Sequence, residues 1–398
     1  MPANLQSPIP LETLEASIGG VRNSRFFPPT AYTSEDFYRY EIKTVWLKEW
    51  IAVGRTEEIP EPGDYFTITI GSEPLIVVRD KDRSIHAMSA VCRHRAMILA
   101  EGSGRCKSRF VCPYHRWTYD LQGNLVGAPD MADVKTFDRK THGLPRVRTE
   151  TWNSVIFVNF DNNSPPLGPR LASLDPIVAA WRLGELKNES VVDTEAKMHF
   201  TYNWNWKIYA EGQSECYHCD KLHGDTPAMK LIDFKSMQML VDEPDRGVFV
   251  FEMRTKTIDH TLNHTGQAVF SPIPELPEDK RWTSCTVVIA PNIFMQLMSD
   301  CVILLCWFPA GPKSMSIKRF RLYPRETLDR ADFLQQREPE RAAARYFVSQ
   351  DDEAFEKVQQ GVESQFAPQG PISAKEPILT GFNHWLVSRY KAGHEDIE

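Results

Sequence analysis

Four residues in the first third of the chain combine two thiols with two imidazoles. A Cys-x-His segment holds Cys92 and His94, and after seventeen residues a Cys-x-x-His segment holds Cys112 and His115. Thiolates bind iron–sulfur clusters, and neutral imidazoles on one iron raise the reduction potential. The set predicts a [2Fe–2S] cluster with the cysteines on one iron and the histidines on the other. A structural zinc ion is the alternative, although zinc sites favour C-x2-C pairs and each pair here is mixed.

A second group of metal-binding residue types lies near the middle of the chain. Glu215-Cys-Tyr-His218 is followed five residues later by His223. Two histidines at this spacing can converge on one metal if the helical segment that carries them kinks or ends between them. A carboxylate would complete the two-His-one-carboxylate set of non-haem Fe(II) sites, which leaves positions open for O2. The alternative is a C-x-x-C redox motif formed by Cys216 and Cys219.

The third ligand has four carboxylate candidates. Asp220 and Asp225 are close in sequence, whereas Asp351 and Asp352 lie in a late helical segment. That segment carries an apolar stripe at three- and four-residue steps, which comprises Phe347, Ala354, Phe355, Val358 and Val362. Asp351 falls on this stripe, where a carboxylate is costly unless it is paired or bound to metal. We therefore predict Asp351 as the ligand and keep Asp352 as the alternative.

An electron carrier and a metal with open positions on one chain predict reductive activation of O2. No Gly-rich nucleotide-binding loop after a strand is visible, so NAD(P)H electrons are expected to arrive through a separate reductase. The chain is thus predicted to be a terminal oxygenase acting on a small organic substrate. A non-catalytic electron carrier, whose second domain only binds partners, is the rival hypothesis.

Composition narrows the partners and the location. The 398 residues carry a net charge of −7, and their basic residues are scattered rather than clustered, so we expect no nucleic-acid partner. No apolar run approaches the roughly 18 residues of a membrane span, and residues 1–8 lack a secretion signal. Eight cysteines without a signal do not suggest a disulfide framework. We expect a cytoplasmic protein that is not bound to a membrane.

Local patterns predict a helical start and then a β domain. Residues 32–51 read as a helix capped by Ser34. Short β-branched or aromatic runs follow at 65–70, 75–79 and 147–160, separated by turn residues. Pro165-Pro-Leu-Gly-Pro169 is the best linker candidate. We predict three parts: a helical segment at 1–45 packing on the catalytic domain, an all-β cluster domain at 46–164, and a catalytic domain at 165–398.

The catalytic part is predicted to be an antiparallel sheet with a long helix packed on it, an α+β arrangement. A charged helix is expected at about 327–365, and the strand-like segments before it are 189–201, 247–254, 282–289, 294–298, 302–309 and 316–323.

At these motifs the chain resembles the α subunits of Rieske non-haem iron oxygenases. The cluster motif fits, as do the run from Tyr114 to Asp120, the Asn205-Trp-Lys lead-in and the E-C-Y-H-C-x3-H segment. The resemblance implies an all-β Rieske [2Fe–2S] domain joined to a helix-grip catalytic domain with mononuclear Fe(II). It also implies a head-to-tail homotrimer, served by a reductase directly or through a ferredoxin.

The resemblance assigns Glu215 as an acidic bridge between His115 of one subunit and His218 of the next. The E-C-Y-H-C version is similar to carnitine monooxygenase and related α-only enzymes, which favours monooxygenation or oxidative dealkylation over aromatic cis-dihydroxylation. Asp351 agrees with the family pattern, in which the carboxylate precedes an apolar residue and Gln by seven positions. Gly212 departs from it, because those relatives carry Asn there.

Overall fold

The computed structural model describes residues 6–20, 22–193 and 196–395. Two compact units divide the chain: Trp46–Leu167 forms one, and Met1–Val45 with Gly168–Glu398 forms the other. The functional roles predicted for 1–45, 46–164 and 165–398 stay predictions. Residues 1–5, on which part of the expected lack of a secretion signal rests, lie outside the described residues.

The smaller unit is built from antiparallel strands, as expected for an all-β domain. Strand β2 shows why, since Phe66, Ile68 and Ile70 are buried while Thr67 and Thr69 between them are partly exposed, the period of a half-buried strand. Its strands are β1 (Ile51–Arg55), β2 (Asp64–Ile70), β3 (Glu73–Arg79), β4 (Ile85–Ser89), β5 (Ser103–Arg105), β6 (Arg109–Val111), β7 (Thr118–Asp120), β8 (Leu125–Gly127), β9 (Arg146–Trp152) and β10 (Val155–Asn159).

Two sheets carry the cluster motif. Seven strands pair in the order β1-β10-β9-β4-β3-β2-β5, and β6-β7-β8 form a small separate sheet. The turn between β7 and β8 is shaped by Asp120, whose carboxylate accepts from the N–H groups of Gln122 and Asn124 at 2.9 and 2.8 Å. Gly123 adopts a φ of 83° there, which a side chain would disfavour. Residues 120–124 therefore form one of the turns expected between the β-rich runs.

The larger unit contains an antiparallel sheet in the order β11-β18-β17-β16-β15-β14-β13, with β12 also paired to β18. Its later strands lie close to their predicted positions. The bounds are β11 (Lys187–Asn188), β12 (His199–Tyr202), β13 (Gln238–Glu243), β14 (Val248–Arg254), β15 (Thr283–Ile289), β16 (Ile293–Leu297), β17 (Val302–Gly311) and β18 (Ser314–Tyr323).

The helices belong to the larger unit, apart from α4 at its border. They are α1 (Leu11–Glu15), α2 (Thr30–Thr33), α3 (Glu35–Glu41), α4 (Leu167–Leu171), α5 (Asp175–Ala180), α6 (Trp206–Gln213), α7 (Cys219–Leu222), α8 (Pro227–Lys230), α9 (Arg325–Leu328), α10 (Phe333–Val362) and α11 (Pro377–Glu395). Across the described ranges no helix has the length and apolar character to cross a membrane. The α+β class is confirmed.

Three sequence expectations were wrong in detail. The helix expected at 32–51 is α3 alone, capped by Ser34 as predicted and followed by a π-helical turn at Ile42–Trp46. The linker at Pro165–Pro169 already contains the start of α4, because proline is tolerated in a first helical turn. The strand expected at 189–201 begins only at His199, after a 3-10 turn at Glu189–Val191, and residues 194–195 lie outside the described ranges.

The long helix α10 has a different buried face from the predicted stripe. Asp351, Phe355 and Gln359 are buried at four-residue steps, whereas Val358 is 47% exposed. The amide oxygen of Gln359 accepts from the N–H of Asn205 at 2.8 Å. Asn205 caps α6 in turn, since its side chain accepts from the N–H of Lys207. Helix α10 therefore fixes the start of α6, the helix that leads into the second motif.

A buried ion pair ties α6 to the N-terminal helices. Lys207 donates to both oxygens of Glu41 at 2.8 and 2.7 Å, and both side chains are fully buried. Tyr390 of α11 also donates to Glu41. Burial lowers the pKa of Lys207 and raises the pKa of Glu41, and each partner opposes the shift of the other. The pair thus joins α3, α6 and α11 at one point.

We expect Glu41→Gln to destabilise the fold strongly, because it leaves the Lys207 ammonium buried without its counter-charge. Breaking a buried pair in this way costs about 3–5 kcal/mol. Urea unfolding should show the loss. The control is Glu35→Gln in the exposed pair with Arg39, which should cost no more than about 0.5 kcal/mol. Equal effects of the two substitutions would contradict the importance given to the buried pair.

Candidate metal centres

The two cysteines of the first motif open loops with the same backbone pattern. In each loop the N–H of the cysteine donates to the carbonyl five residues later at 2.8 Å, and its carbonyl accepts from the N–H four residues later at 3.0 Å. That fourth residue has a positive φ in both loops, 56° at Ala96 and 62° at Arg116. Two equivalent tight loops therefore present Cys92 and Cys112 to the same space.

The four predicted cluster ligands come together. Cys92 and Cys112 are buried, and Nδ1 of His94 lies 3.2 Å from Nδ1 of His115. Burial is the main cause that raises the pKa of the Cys92 thiol, and the nearby Cys112 contributes. Desolvation and the positive charges of His94 and Arg95 lower the pKa of His115, which favours the neutral imidazole that binds metal. Two thiols and two imidazoles in this arrangement fit a [2Fe–2S] cluster.

Two aromatic side chains support this centre, and sequence analysis did not assign them a role. Trp117 stacks on His94 with ring centroids 5.0 Å apart. The hydroxyl of Tyr119 accepts from the N–H of Arg93 at 3.0 Å and lies 3.4 Å from the sulfur of Cys92. Both residues follow the second cysteine on or beside strand β7, within the run from Tyr114 to Asp120 that carries the family resemblance.

The second motif lies where helical structure is interrupted. Helix α6 ends at Gln213, and the short helix α7 begins at Cys219. His218 immediately precedes α7 and His223 immediately follows it, so one helical turn separates the two rings. Their centroids are 5.3 Å apart. The break in helical structure thus precedes His218, and α7 ends just before His223, which brings the two imidazoles close together.

Asp351 joins these two histidines from helix α10. Its Oδ1 lies 2.9 Å from Nε2 of His223 and 3.7 Å from Nε2 of His218. One donor atom from each residue lies within 4.8 Å of the other two. Among the described residues this is the one group of three His, Cys, Asp or Glu side chains so close together.

The chemistry of the group fits a bound cation. Nε2 of His223 and Oδ1 of Asp351 are buried and face each other without forming a hydrogen bond of acceptable geometry. Burial lowers the pKa of His218, but Glu215, Asp351 and Glu376 outweigh it and raise that pKa overall. Three carboxylates around two imidazoles give an excess of negative charge. Two neutral imidazoles and one carboxylate form the donor set of non-haem iron.

Helix α10 also orients His223 through residues that sequence analysis did not identify. Nδ1 of His223 contacts the amide oxygen of Gln350 at 2.9 Å, and Phe347 stacks on the ring at a centroid distance of 3.8 Å. A hydrogen bond at Nδ1 leaves Nε2 free to face Asp351. Tyr346 donates to Asp225 at 2.7 Å and accepts from Gln350 at 3.3 Å. Asp225 therefore helps to orient His223 indirectly, through Tyr346 and Gln350.

The other carboxylate candidates do not join the group. Asp220 is exposed and pairs with Lys221 at 2.6 Å. Asp352 points away from the histidines, toward Tyr202 and Arg319, and burial is the main cause that raises its pKa to about 6. Of the four aspartates considered, only Asp351 approaches both imidazoles.

Glu215 is held by its own turn. One oxygen bonds Nδ1 of His218, and the other accepts from the N–H groups of Tyr217 and His218. The predicted bridge residue thus bonds the His218 ring at Nδ1, the nitrogen that does not face Asp351. Its assigned contact with His115 of another subunit stays a prediction.

Gly212 allows α6 and α10 to approach closely. A Cβ atom at this position would lie 2.3 Å from Cε1 of the Phe355 ring, which is too close. Phe355 is four residues after Asp351 and also meets Tyr209 edge to face at 5.7 Å. The close packing against Phe355 therefore accounts for a glycine at this position.

Two known protein families match parts of this chain. Residues 49–138 match the Rieske [2Fe-2S] domain, and residues 186–392 match the ring hydroxylating alpha subunit catalytic domain. These two matches define a class of two-domain iron proteins in which a [2Fe–2S] domain is joined to a mononuclear iron catalytic domain. The second match covers just over half of the chain, and the chain belongs to the ring-hydroxylating α-subunit family. It is a terminal oxygenase of the Rieske type.

Individual relatives agree with this family. The glycine betaine monooxygenase oxygenase subunit of Chromohalobacter salexigens is 28% identical over 87% of this chain and 81% of its own. The carnitine monooxygenase oxygenase subunit of Acinetobacter baumannii is 31% identical, but that match spans about half of each chain, 50% and 52%. A solved quaternary ammonium Rieske monooxygenase matches at a TM-score of 0.76 and 20% identity, over 96% of this chain and 99% of that one. The last similarity supports the fold.

We expect Asp351→Asn to weaken binding of the mononuclear iron by more than about 100-fold, because it removes the charged ligand and not only a supporting contact. Titration of Fe(II) into protein stripped of this metal measures the affinity. The neighbouring Asp352→Asn is the matched control and should bind normally. Equal affinities of D351N and the unchanged protein would exclude Asp351 as a ligand.

We expect Gly212→Asn to destabilise the protein by about 1–3 kcal/mol through overpacking against Phe355. In a double-mutant cycle, Phe355→Ala should remove most of this penalty, because the small side chain leaves space for the asparagine. Urea unfolding of the two single variants and the double variant gives the interaction energy. Additive losses would show that the two positions do not compete for the same space.

Proposed function

We propose that this oxygenase hydroxylates or oxidatively dealkylates a small organic substrate, an amine or an aromatic compound, with electrons that derive from NAD(P)H. The observation that carries the proposal is the convergence of His218, His223 and Asp351 on one chain with the four-residue cluster set. When bound, the cluster supplies single electrons and the mononuclear iron activates O2. Three protein ligands leave coordination positions for O2 beside the substrate.

The electron source is proposed to be a separate NAD(P)H-dependent reductase, acting directly or through a ferredoxin. The names of the two sequence relatives support this, since both proteins are called oxygenase subunits. We further propose that the enzyme works in the cytoplasm, because Cys92 and Cys112 must be reduced thiols before a cluster can form on them.

Glu215 is proposed to connect the two centres within a homotrimer. Its carboxylate bonds Nδ1 of His218, the ring nitrogen that does not face Asp351. A second imidazole, His115 of a neighbouring subunit, would complete the bridge and couple cluster to iron. His94 and His115 are both solvent-accessible in the single chain, which leaves their outer faces available for such a contact.

The substrate class is proposed from aromatic side chains near the metal group. Tyr209 meets Trp307 edge to face at 5.8 Å and Phe355 at 5.7 Å, and Trp204 meets Phe355 at 6.0 Å. Aromatic surfaces accept rings by stacking and quaternary ammonium groups by cation–π attraction. The relatives named for glycine betaine and carnitine support an amine as the substrate.

Product analysis separates the reaction types. The enzyme, a compatible reductase and NADH are incubated with N-alkyl amines, quaternary ammonium compounds and aromatic acids under labelled O2. Monooxygenation should place one labelled atom in the product, and dealkylation should release an aldehyde. A cis-diol with two labelled atoms would contradict the proposed monooxygenation.

We expect Glu215→Gln to lower product formation by about 10- to 100-fold, the usual range for a residue that supports a metal ligand. The cluster spectrum and the iron content should not change. Glu376→Gln is the matched control, because it removes a nearby carboxylate charge from a residue that accepts from the N–H of Ser373 and forms no hydrogen bond with the His218 ring. Single-turnover oxidation of the reduced cluster by O2 measures the effect. Unaltered oxidation in E215Q would exclude the bridge.

A further inference from the structure

Two cysteines bracket His218 and are joined to each other. Cys216 and Cys219 form a disulfide with their Cα atoms 4.8 Å apart. In the part of the chain that the structure describes, the other six cysteines form no disulfide: Cys92, Cys106, Cys112, Cys285, Cys301 and Cys306. The pairing is therefore specific to the metal motif and is not a general property of the protein.

The backbone already holds the two cysteines at bonding distance. Helix α7 begins at Cys219, and the N–H groups of Lys221 and Leu222 donate to the carbonyl of His218 at 2.9 and 2.8 Å. A Cα separation of 4.8 Å lies within the range that a disulfide spans without backbone movement. The bond can therefore form across the turn without backbone movement.

The two thiols differ in access to solvent. Cys216 is half-buried and precedes the exposed Tyr217, whereas Cys219 is 7% exposed. Cys216 is the more exposed of the two, so we expect a small oxidant to react there first and Cys219 to attack the oxidised sulfur. An accessible cysteine beside a resolving cysteine is the arrangement of redox-sensing sites.

We propose that Cys216 and Cys219 form a redox modification site that cycles between dithiol and disulfide, with hydrogen peroxide as the oxidant. The Cys216 sulfur attacks one peroxide oxygen, the O–O bond breaks, and one water leaves as the sulfur becomes a sulfenic acid. The Cys219 sulfur then attacks the Cys216 sulfur and displaces the second water. Two thiols and one peroxide give one disulfide and two waters, and a small dithiol reverses the reaction.

The bond acts on the residues that hold Glu215. Closing the ring restrains Tyr217 and His218, whose N–H groups both donate to one oxygen of Glu215. With the other oxygen on the His218 ring, the carboxylate is folded back onto its own turn. The disulfide stabilises this state and the dithiol loosens it. This consequence rests on the proposed bridging role of Glu215, and it predicts slower electron transfer in the oxidised form.

Differential alkylation of the iron-loaded enzyme tests the site. The protein is reduced with dithiothreitol, treated with stoichiometric hydrogen peroxide and alkylated, and peptides are mapped by mass spectrometry. We expect both cysteines to lose alkylation without gaining oxygen, and to recover it after dithiothreitol. The half-buried Cys106 is the internal control and should alkylate equally throughout. Sulfinic or sulfonic acid at Cys216 with Cys219 still alkylatable, or no change at either, would overturn the proposal.

Cys219→Ser provides a second test that does not depend on turnover. Without the resolving sulfur, peroxide should leave Cys216 as a sulfenic acid that a dimedone probe traps, whereas the unchanged protein should trap little. Equal trapping in both proteins would overturn the resolving role.

Single-turnover oxidation of the reduced cluster, compared before and after peroxide and again after dithiothreitol, tests the effect on Glu215. Cys106→Ser is the control. A fall in the rate of cluster oxidation that dithiothreitol reverses supports the effect on Glu215. An equal rate in both redox states overturns this effect. If the oxygenase function itself were wrong, product would be absent in both states while the alkylation result would be unaffected.

Discussion

The buried carboxylate of Asp351 is the constraint on which the larger unit depends. A charge on the inner face of α10 is costly unless it is paired or bound to metal, and here it faces two imidazoles from a segment about 130 residues earlier in the chain. Most strands of the sheet lie between these two segments in sequence, and α10 brings Asp351 back to the histidines. The capping of α6 by Asn205, the hold of Gln359 on that cap and the close contact at Gly212 all set the distance between α6 and α10.

The cluster domain solves a similar problem by duplication. Two loops with matching backbone hydrogen bonds each supply one buried thiol and one solvent-facing imidazole. The buried cysteines would bind the cluster as thiolates away from water and would set its charge. The imidazoles remain at the surface, where electrons would enter and a partner would make contact. The second centre has the opposite character, since His223 is fully buried and Asp351 nearly so. One centre exchanges electrons with partners, and the other restricts access to the metal.

The residues that the structure brings together at the two candidate centres could be selected from the sequence, because the predicted chemistry depends on residue type and spacing. Asp351 could be chosen over Asp352 from the cost of burying a charge, even though the stripe used for that argument was partly wrong, as exposed Val358 shows. Helix α11 was not predicted, because Gly381 and Asn383 weaken its helical pattern. The structure explains Gly381, since a Cβ atom there would lie 2.5 Å from the ring of Phe249. Gln350 and Phe347 depend on tertiary contacts with His223, which no local pattern reports.

The proposed reaction requires two different iron centres within one polypeptide. Determination of iron and acid-labile sulfide per chain, on protein assembled under anaerobic conditions with iron and sulfide supplied, tests this most directly. We expect about three irons and about two sulfides per chain, because one [2Fe–2S] cluster and one mononuclear iron would be bound together. About two irons with two sulfides would show a cluster without a mononuclear site and would contradict the oxygenase.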